Sequence, residues 1–474
     1  MSVLWTAAEA AEATGGRVAS DWAVTGISID SRSVGEGDLF VALSAARDGH
    51  DFVADALAKG AAAALVSRIP DGVAPDRLLL VGDVMEGLRA LGAAGRARTA
   101  ATVIAVTGSV GKTTVKEMLR TALGAQGRTH AAEASFNNHW GVPITLARMP
   151  ADAEYAVIEI GMNAPGEIAP LSKLARPHVA VVTTVAPAHL EAFGVIEGIA
   201  VEKASIYEGL EPGGVALAHG DLDTSGILFD KARSCAARLI TFGEDAGLDI
   251  RVTDLRISDE ATVLKIDDQG TERLLKLGAP GRHYGMNAMI ALAAAEAAGA
   301  DPTRAALSLA SWHPFEGRGT RETVVLSQTD GLSVQMIDDA FNANPASMAA
   351  ALEVLAAAAP DGRGRRIAVL GDMLELGPTA PGLHAAIAGH PALARIDQVH
   401  TVGPLMQNLH AALPAAIRGL HCETADEMAQ TLARHLKPDD VLLIKGSKGI
   451  KVSRVVDALR KLGQAAVYHK RGSR

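Results

Sequence analysis

The sequence predicts an α/β chain of three domains: a smaller N-terminal α/β domain, a central phosphate-loop domain on a mostly parallel sheet, and a C-terminal Rossmann-like domain. Three observations carry this. At 474 residues the chain exceeds what one core serves, since domains run to about 100–200 residues. A composition 48% hydrophobic but only 3% aromatic asks for cores of small aliphatic side chains packed between helices and sheets. Short apolar runs that do not alternate recur between helical patterns, as strands buried on both faces do.

The N-terminal domain is expected over 1–98. A helix pattern carrying Glu9 and Glu12 opens it, and no basic-then-apolar leader is expected there. Runs at 27–29, 39–43, 62–66 and 78–81 read as strands, 52–59 as a helix, 68–72 as a turn, and 85–98 as an amphipathic helix leading onward.

The central domain, 99–313, is organised around TVIAVTGSVGKTTVKEML at 102–119. Residues 103–107 read as a buried strand, and Val115, Met118 and Leu119 fall at helical spacing. Between them Gly108 and Gly111 let the backbone turn its N–H groups, with Ser109 and Val110, toward an anion at a helix N-terminus. Lys112 then reaches terminal phosphate oxygens, and the Thr113 hydroxyl, followed by Thr114, suits Mg²⁺. The loop is a variant, because the strict pattern places glycine where Val106 stands. An ordinary strand-to-helix turn leaves Lys112, Thr113 and Thr114 unexplained in that order. Further buried strands are expected at 156–160, 179–185, 214–218 and 239–242. Alternating segments at 250–257 and 262–266 suggest an antiparallel addition, and 284–298 an alanine-rich helix.

Residues 313–319, HPFEGRG, read as a linker. The C-terminal domain, 314–474, follows with strands expected at 332–337, 367–370, 399–402 and 441–444 and helices at 347–358 and near 452–462, a Rossmann-like series.

A net charge of −9 gives no electrostatic footprint for nucleic acid or for an anionic membrane. The locally basic 469–471 reads as a solvated end. Cys235 and Cys422 show neither metal nor redox spacing, and a reducing cytoplasm fits them. No uncharged run approaches the ~18 residues of a membrane span.

Taken singly, three further residues leave their roles open. Glu159 ends a predicted buried strand, where open α/β sheets bind ligands, but a solvated loop charge also sits there. His189 follows a strand, a position more often structural than functional. Lys203 lies on a helix beginning near Val195, where most lysines are solvated.

Together with TGSVGKTT, the stretches NNHWGVP at 137–143, EIG at 159–161, AHLE at 188–191 and Glu202-Lys203 resemble the Mur ligase family, ATP-dependent enzymes that form amide bonds in peptidoglycan synthesis. The resemblance covers nearly the whole chain. Two long motifs, DDAFNANP at 338–345 and LGDMLELG at 370–377, are similar to the branch that adds D-alanyl-D-alanine to a UDP-N-acetylmuramoyl-tripeptide. No Asp-Asn-Pro-Arg motif of the third-position amino-acid ligase occurs late in the chain. Phe341 stands where the family usually carries tyrosine, and forfeits a hydroxyl.

The resemblance implies roles residue by residue. Lys112 and the amides of Gly108 to Thr114 would hold the ATP phosphates. Thr113, Glu159, His189 and a carbamylated Lys203 would hold Mg²⁺, the carbamate turning a repelling cation into an oxygen ligand. Lys112, His189 and Lys203 would thus serve catalysis. Asn287, Arg318, Asp339, Asn342 and Asn344 would contact nucleotide. Asp30, Ser31 and Arg32, in a first domain that also carries DGHDF at 48–52, would bind the uridine nucleotide, and Asn137 and Asn138 the substrate. A cytoplasmic monomer is expected.

Two other readings stand beside this one. Another amide ligase of similar build, of the folylpolyglutamate or third-position kind, would lack Asn342-Ala343-Asn344-Pro345, and a substrate panel separates it. A nucleotide-regulated switch would use the loop without making a bond, and would leave Glu159, His189 and Lys203 incidental.

Overall fold

The computed structural model describes residues 3–44, 46–132, 135–235, 237–327 and 331–467. The basic stretch 469–471 lies outside them. Among the described residues, sheets of five, nine and seven strands follow one another along the chain, with a two-stranded pair of Trp5–Thr6 and Ala23–Val24 beside the first, an α/β architecture throughout.

The first sheet runs Arg17–Val18, Leu78–Leu80, Ala63–Val66, Asp38–Val41, Gly26–Ser28, parallel except for its first strand. It joins the next body through polar groups aimed at carbonyl oxygens. Trp5 Nε1 donates to Ala147 O at 2.8 Å, Arg148 Nε to Ile27 O at 2.7 Å and Arg96 Nε to Ala175 O at 2.8 Å. The Arg98 guanidinium lies 3.7 Å from the centre of the Trp5 ring, a cation–π contact.

In the nine-stranded sheet, Thr102–Thr107 lies between Tyr155–Glu159 and Val179–Val182, parallel to both. Both of its faces are buried: Ile104 and Val106 join the core under helices Lys112–Gly124 and Arg282–Ala297, while Val103 and Ala105 join the opposite core. This two-sided burial explains the apolar run in the sequence. The chain goes from this strand to the edge strand Thr129–Ala131 on one side, and Val179–Val182 starts a run toward the other. A crevice therefore opens beyond the strands' carboxyl ends. Ile250–Ile257, Thr262–Asp268 and Thr271–Leu277 form the antiparallel extension; the last was not expected, its charged TERLLKL hiding the alternation.

The third sheet runs Arg418–Cys422, Gln398–Val402, Arg366–Gly371, Val441–Lys445, Leu332–Asp339, Thr320–Ser327, Gln464–Val467, the first five parallel, Thr320–Ser327 antiparallel to both of its neighbours. Thr320–Ser327 is a strand that the sequence reading passed over beside the linker. The expected strand at 179–185 ends at Val182, because Thr183 and the residues after it turn to bind the phosphate loop.

Candidate active site

Strand Thr102–Thr107 delivers the chain to the glycine turn, and helix Lys112–Gly124 leaves from it. The turn is built to a tight specification. Gly111, at φ 86°, caps the helix in the left-handed region, and a Cβ there would lie 2.6 Å from Asn287 Oδ1. A Cβ on Gly108 would lie 1.9 Å from Thr183 Oγ1. Thr183 Oγ1 donates to Val110 O at 2.6 Å, and Ser109 Oγ donates to Ala186 O while accepting from Ala186 N, both at 2.9 Å. The neighbouring strand end thus fixes the loop, and Asn287 is pressed against it.

Lys112 Nζ folds back to donate to Gly108 O at 2.6 Å. Burial pulls its amine below the ordinary range, Glu159 opposing and Arg318 adding to the shift. Glu159 stands opposite Val106 in register and is 1% exposed. Its Oε1 accepts from Thr113 Oγ1 at 3.0 Å and Asn137 Nδ2 at 2.8 Å, whereas its Oε2 is buried with no partner among the described residues. A buried carboxylate oxygen without a donor is costly. Beside a hydroxyl oxygen, it is the hard-oxygen donor set that Mg²⁺ takes, so these residues fit the ion.

Lys203, on helix Ile196–Ala204, is 2% exposed rather than solvated. Its amine touches Met162 Sδ at 3.8 Å and has no carboxylate partner among the described residues, the adjacent Glu202 being engaged with Gly166 N and Ile168 N at 2.7 Å each. Burial first, then repulsion from Lys112, holds the Lys203 amine well below its ordinary range, against Glu202. It lies behind Met162, which lines the cavity. His189, at φ 58°, turns its ring into the same cavity and bonds through Nδ1 to Glu375 Oε2 of the third sheet's layer at 2.6 Å. Among the described residues no three His, Cys, Asp or Glu side chains form a metal set, so any ion here relies on mixed donors such as these.

The far wall comes from the loop after strand Leu332–Asp339. Asp339 pairs in register with Lys445, whose Nζ binds Asp339 Oδ2 at 2.8 Å and Asn342 O at 2.9 Å. Burial raises the Asp339 carboxyl, Lys445 and Arg318 opposing. The Arg318 guanidinium sits 4.0 Å from the centre of the Phe341 ring, a stack that needs no hydroxyl. Asn344 spends its Oδ1 capping helix Pro345–Ala357 through Ser347 N at 2.9 Å. The open cavity holds about 510 Å³, and its walls bring together the loop residues, Glu159, His189, Asn287, Arg318, Asp339, Asn342 and Asn344.

Three family models match in succession: Mur ligase family, catalytic domain, over 23–77; Mur ligase middle domain over 106–295; and Mur ligase, glutamate ligase domain, over 321–448. The UDP-N-acetylmuramoyl-tripeptide--D-alanyl-D-alanine ligase of Bacillus subtilis is 36% identical over 92% of this chain and 93% of its own. The chain belongs to the Mur ligase family. A crystal structure of MurF from Acinetobacter baumannii superposes with a TM-score of 0.82 at 30% identity, covering 96% of this chain and 99% of that one. The MurF ligase of Thermotoga maritima, solved in complex with ADP, gives 0.75 at 28% identity over 93% and 98%.

In this Mur ligase the remaining expected residues fall elsewhere or have other work. Asp30, Ser31 and Arg32 lie on the first sheet's layer and do not line the cavity. Asp30 pairs with Arg32 at 2.6 Å, and that hydrogen-bonded pairing brings its carboxyl down to about 2. Asn137 and Asn138 do line the cavity, one holding Glu159 and the other accepting from Gly141 N at 2.9 Å. Sequence reasoning missed Lys445, Glu375, Thr183 and His283. Lys445 left a signal, a lysine ending the buried strand VLLIK. His283, against Tyr284 with 3.9 Å between ring centres and with its Nδ1 buried and without a partner among the described residues, left none.

Proposed function

We propose that the chain is an ATP-dependent ligase that joins D-alanyl-D-alanine to UDP-N-acetylmuramoyl-tripeptide, giving the pentapeptide precursor of peptidoglycan. The observation that carries this reading is the meeting, in one cavity, of the phosphate loop with Lys112, the unpartnered Glu159 oxygen, and the Asp339–Lys445 pair of the following domain. The relatives' shared activity, and ADP bound in one of them, support it.

In the first step a terminal carboxylate oxygen of the tripeptide attacks the γ-phosphorus and ADP leaves, producing an acyl phosphate. The loop amides from Gly108 to Thr114 and Lys112 hold the phosphates and offset charge as it spreads. Asn287, Arg318, Asp339, Asn342 and Asn344 orient the nucleotide. Thr113, Glu159, His189 and Lys203 would hold Mg²⁺, which when bound neutralises phosphate charge. For Lys203 this requires that its neutral amine add to CO₂ and lose a proton, and its buried, unpaired setting favours the neutral form. In the second step the dipeptide amine attacks the acyl carbon and phosphate departs. Closing the C-terminal layer over the cavity excludes the water that would hydrolyse the intermediate.

Asp30, Ser31 and Arg32 would hold the uridine nucleotide and Asn137 and Asn138 the peptide end. The domains would span 1–98, 99–313 and 314–474, and the enzyme would work as a cytoplasmic monomer. No helix among the described residues is long and apolar enough to cross a membrane. The test is phosphate release from ATP with each acceptor alone and both together. Release only with both supports the ligase; steady release with neither would mark a nucleotide switch instead.

A further inference from the structure

His189 stands at the end of the middle layer, yet its ring's one polar partner among the described residues comes from the next layer. Its Nδ1 lies 2.6 Å from Glu375 Oε2, a carboxylate 58% exposed and so under no obligation to be there. Both residues hold left-handed backbone, φ 58° for His189 and 63° for Glu375, a conformation uncommon away from glycine. The two segments also touch through their backbones. Glu191 N donates to Glu375 O at 3.4 Å, and a Cβ on Gly377 would lie 3.4 Å from Glu191 Cα. ELG at 375–377 therefore fits against the turn that carries His189.

A carboxylate on Nδ1 fixes an imidazole as the Nδ1–H tautomer and leaves the Nε2 lone pair as the only donor to a metal. We infer that Glu375 is a positioning residue: by holding His189 from the C-terminal domain, it makes the metal site complete only when that domain is docked. The inference rests on the reading of His189 as a Mg²⁺ ligand, and it gives the ELG stretch a task apart from contact with nucleotide or peptide.

Mn²⁺ titration followed by electron paramagnetic resonance, with a non-hydrolysable ATP analogue present, tests it on the full chain without turnover. The parent is compared with E375A, E375Q and H189A, each first checked by thermal melting. E375A is expected to bind Mn²⁺ about 10- to 100-fold more weakly. E375Q, whose amide oxygen still accepts from Nδ1–H, should recover most of that loss, which a merely structural role for the loop would not predict. If H189A weakens Mn²⁺ binding and E375A does not, or if E375Q falls as far as E375A, the positioning role is overturned while the site reading stands. If H189A itself binds like the parent, the reading of His189 falls and this inference with it.

Discussion

Glu159→Gln separates a metal ligand from a structural carboxylate. Glutamine keeps an oxygen where Thr113 Oγ1 and Asn137 Nδ2 donate, at 3.0 and 2.8 Å, and puts an NH₂ where the unpartnered Oε2 lies. Without ligand the effects oppose one another. Two charge-assisted bonds weaken and Lys112 loses an attractive neighbour, but a buried charge is removed, for a net of about 1 kcal/mol either way. With ligand they do not. Magnesium nucleotide at about 100 times its Kd stabilises the parent by about 2.7 kcal/mol, which at about 2–4 °C per kcal/mol for a unit of the central domain's size is a rise in that domain's Tm of about 5–11 °C. E159Q should melt near the parent when free and lose most of that rise, as read by differential scanning fluorimetry with Mg²⁺ and a non-hydrolysable ATP analogue. A variant that keeps the full Mg²⁺-dependent rise would refute the assignment.

Lys203→Ala should abolish turnover, and short carboxylic acids added to the assay should restore part of it; an alanine variant active without them would remove the carbamate. Gly111→Ala forces a Cβ into left-handed backbone 2.6 Å from Asn287 Oδ1, which should cost about 2–5 kcal/mol in urea unfolding and weaken ADP binding in calorimetry. Burial, with the charges of His435 and Arg365, holds His400 down to about 4, while an unfolded histidine titrates near about 6.5. The unfolded chain then carries the extra proton, so this contribution is whole above pH ~6.5 and is lost as pH falls toward ~4, by about 3 kcal/mol. In His400→Gln the fall in urea midpoint between pH 7 and 5 should be shallower.

The phosphate loop was legible because its signal is local: glycines, lysine and threonines follow one another where strand passes to helix. Strands such as Tyr155–Glu159 were legible because burial on both faces writes an unbroken apolar run. Thr320–Ser327 was not, since TRETVVLS carries polar residues on both sides of the strand, Glu322 being buried and paired with Arg460 at 2.6 Å. The His189–Glu375 and Asp339–Lys445 contacts join segments far apart in the chain, and no local pattern encodes such a pairing. The burial of Lys203 was equally hidden, because a helix of low amphipathicity gives no sign of which lysine points inward. Asn344 shows the converse, a motif residue whose capping geometry is as legible as any role toward a ligand.

The most direct measurement follows an oxygen atom. With ¹⁸O in the terminal carboxylate of UDP-N-acetylmuramoyl-tripeptide, and with ATP and D-alanyl-D-alanine present, the phosphate released is analysed by mass spectrometry alongside the peptide product. Phosphorylation of that carboxylate predicts one ¹⁸O in each phosphate formed with pentapeptide. Phosphate free of label, or released without pentapeptide, would contradict the account.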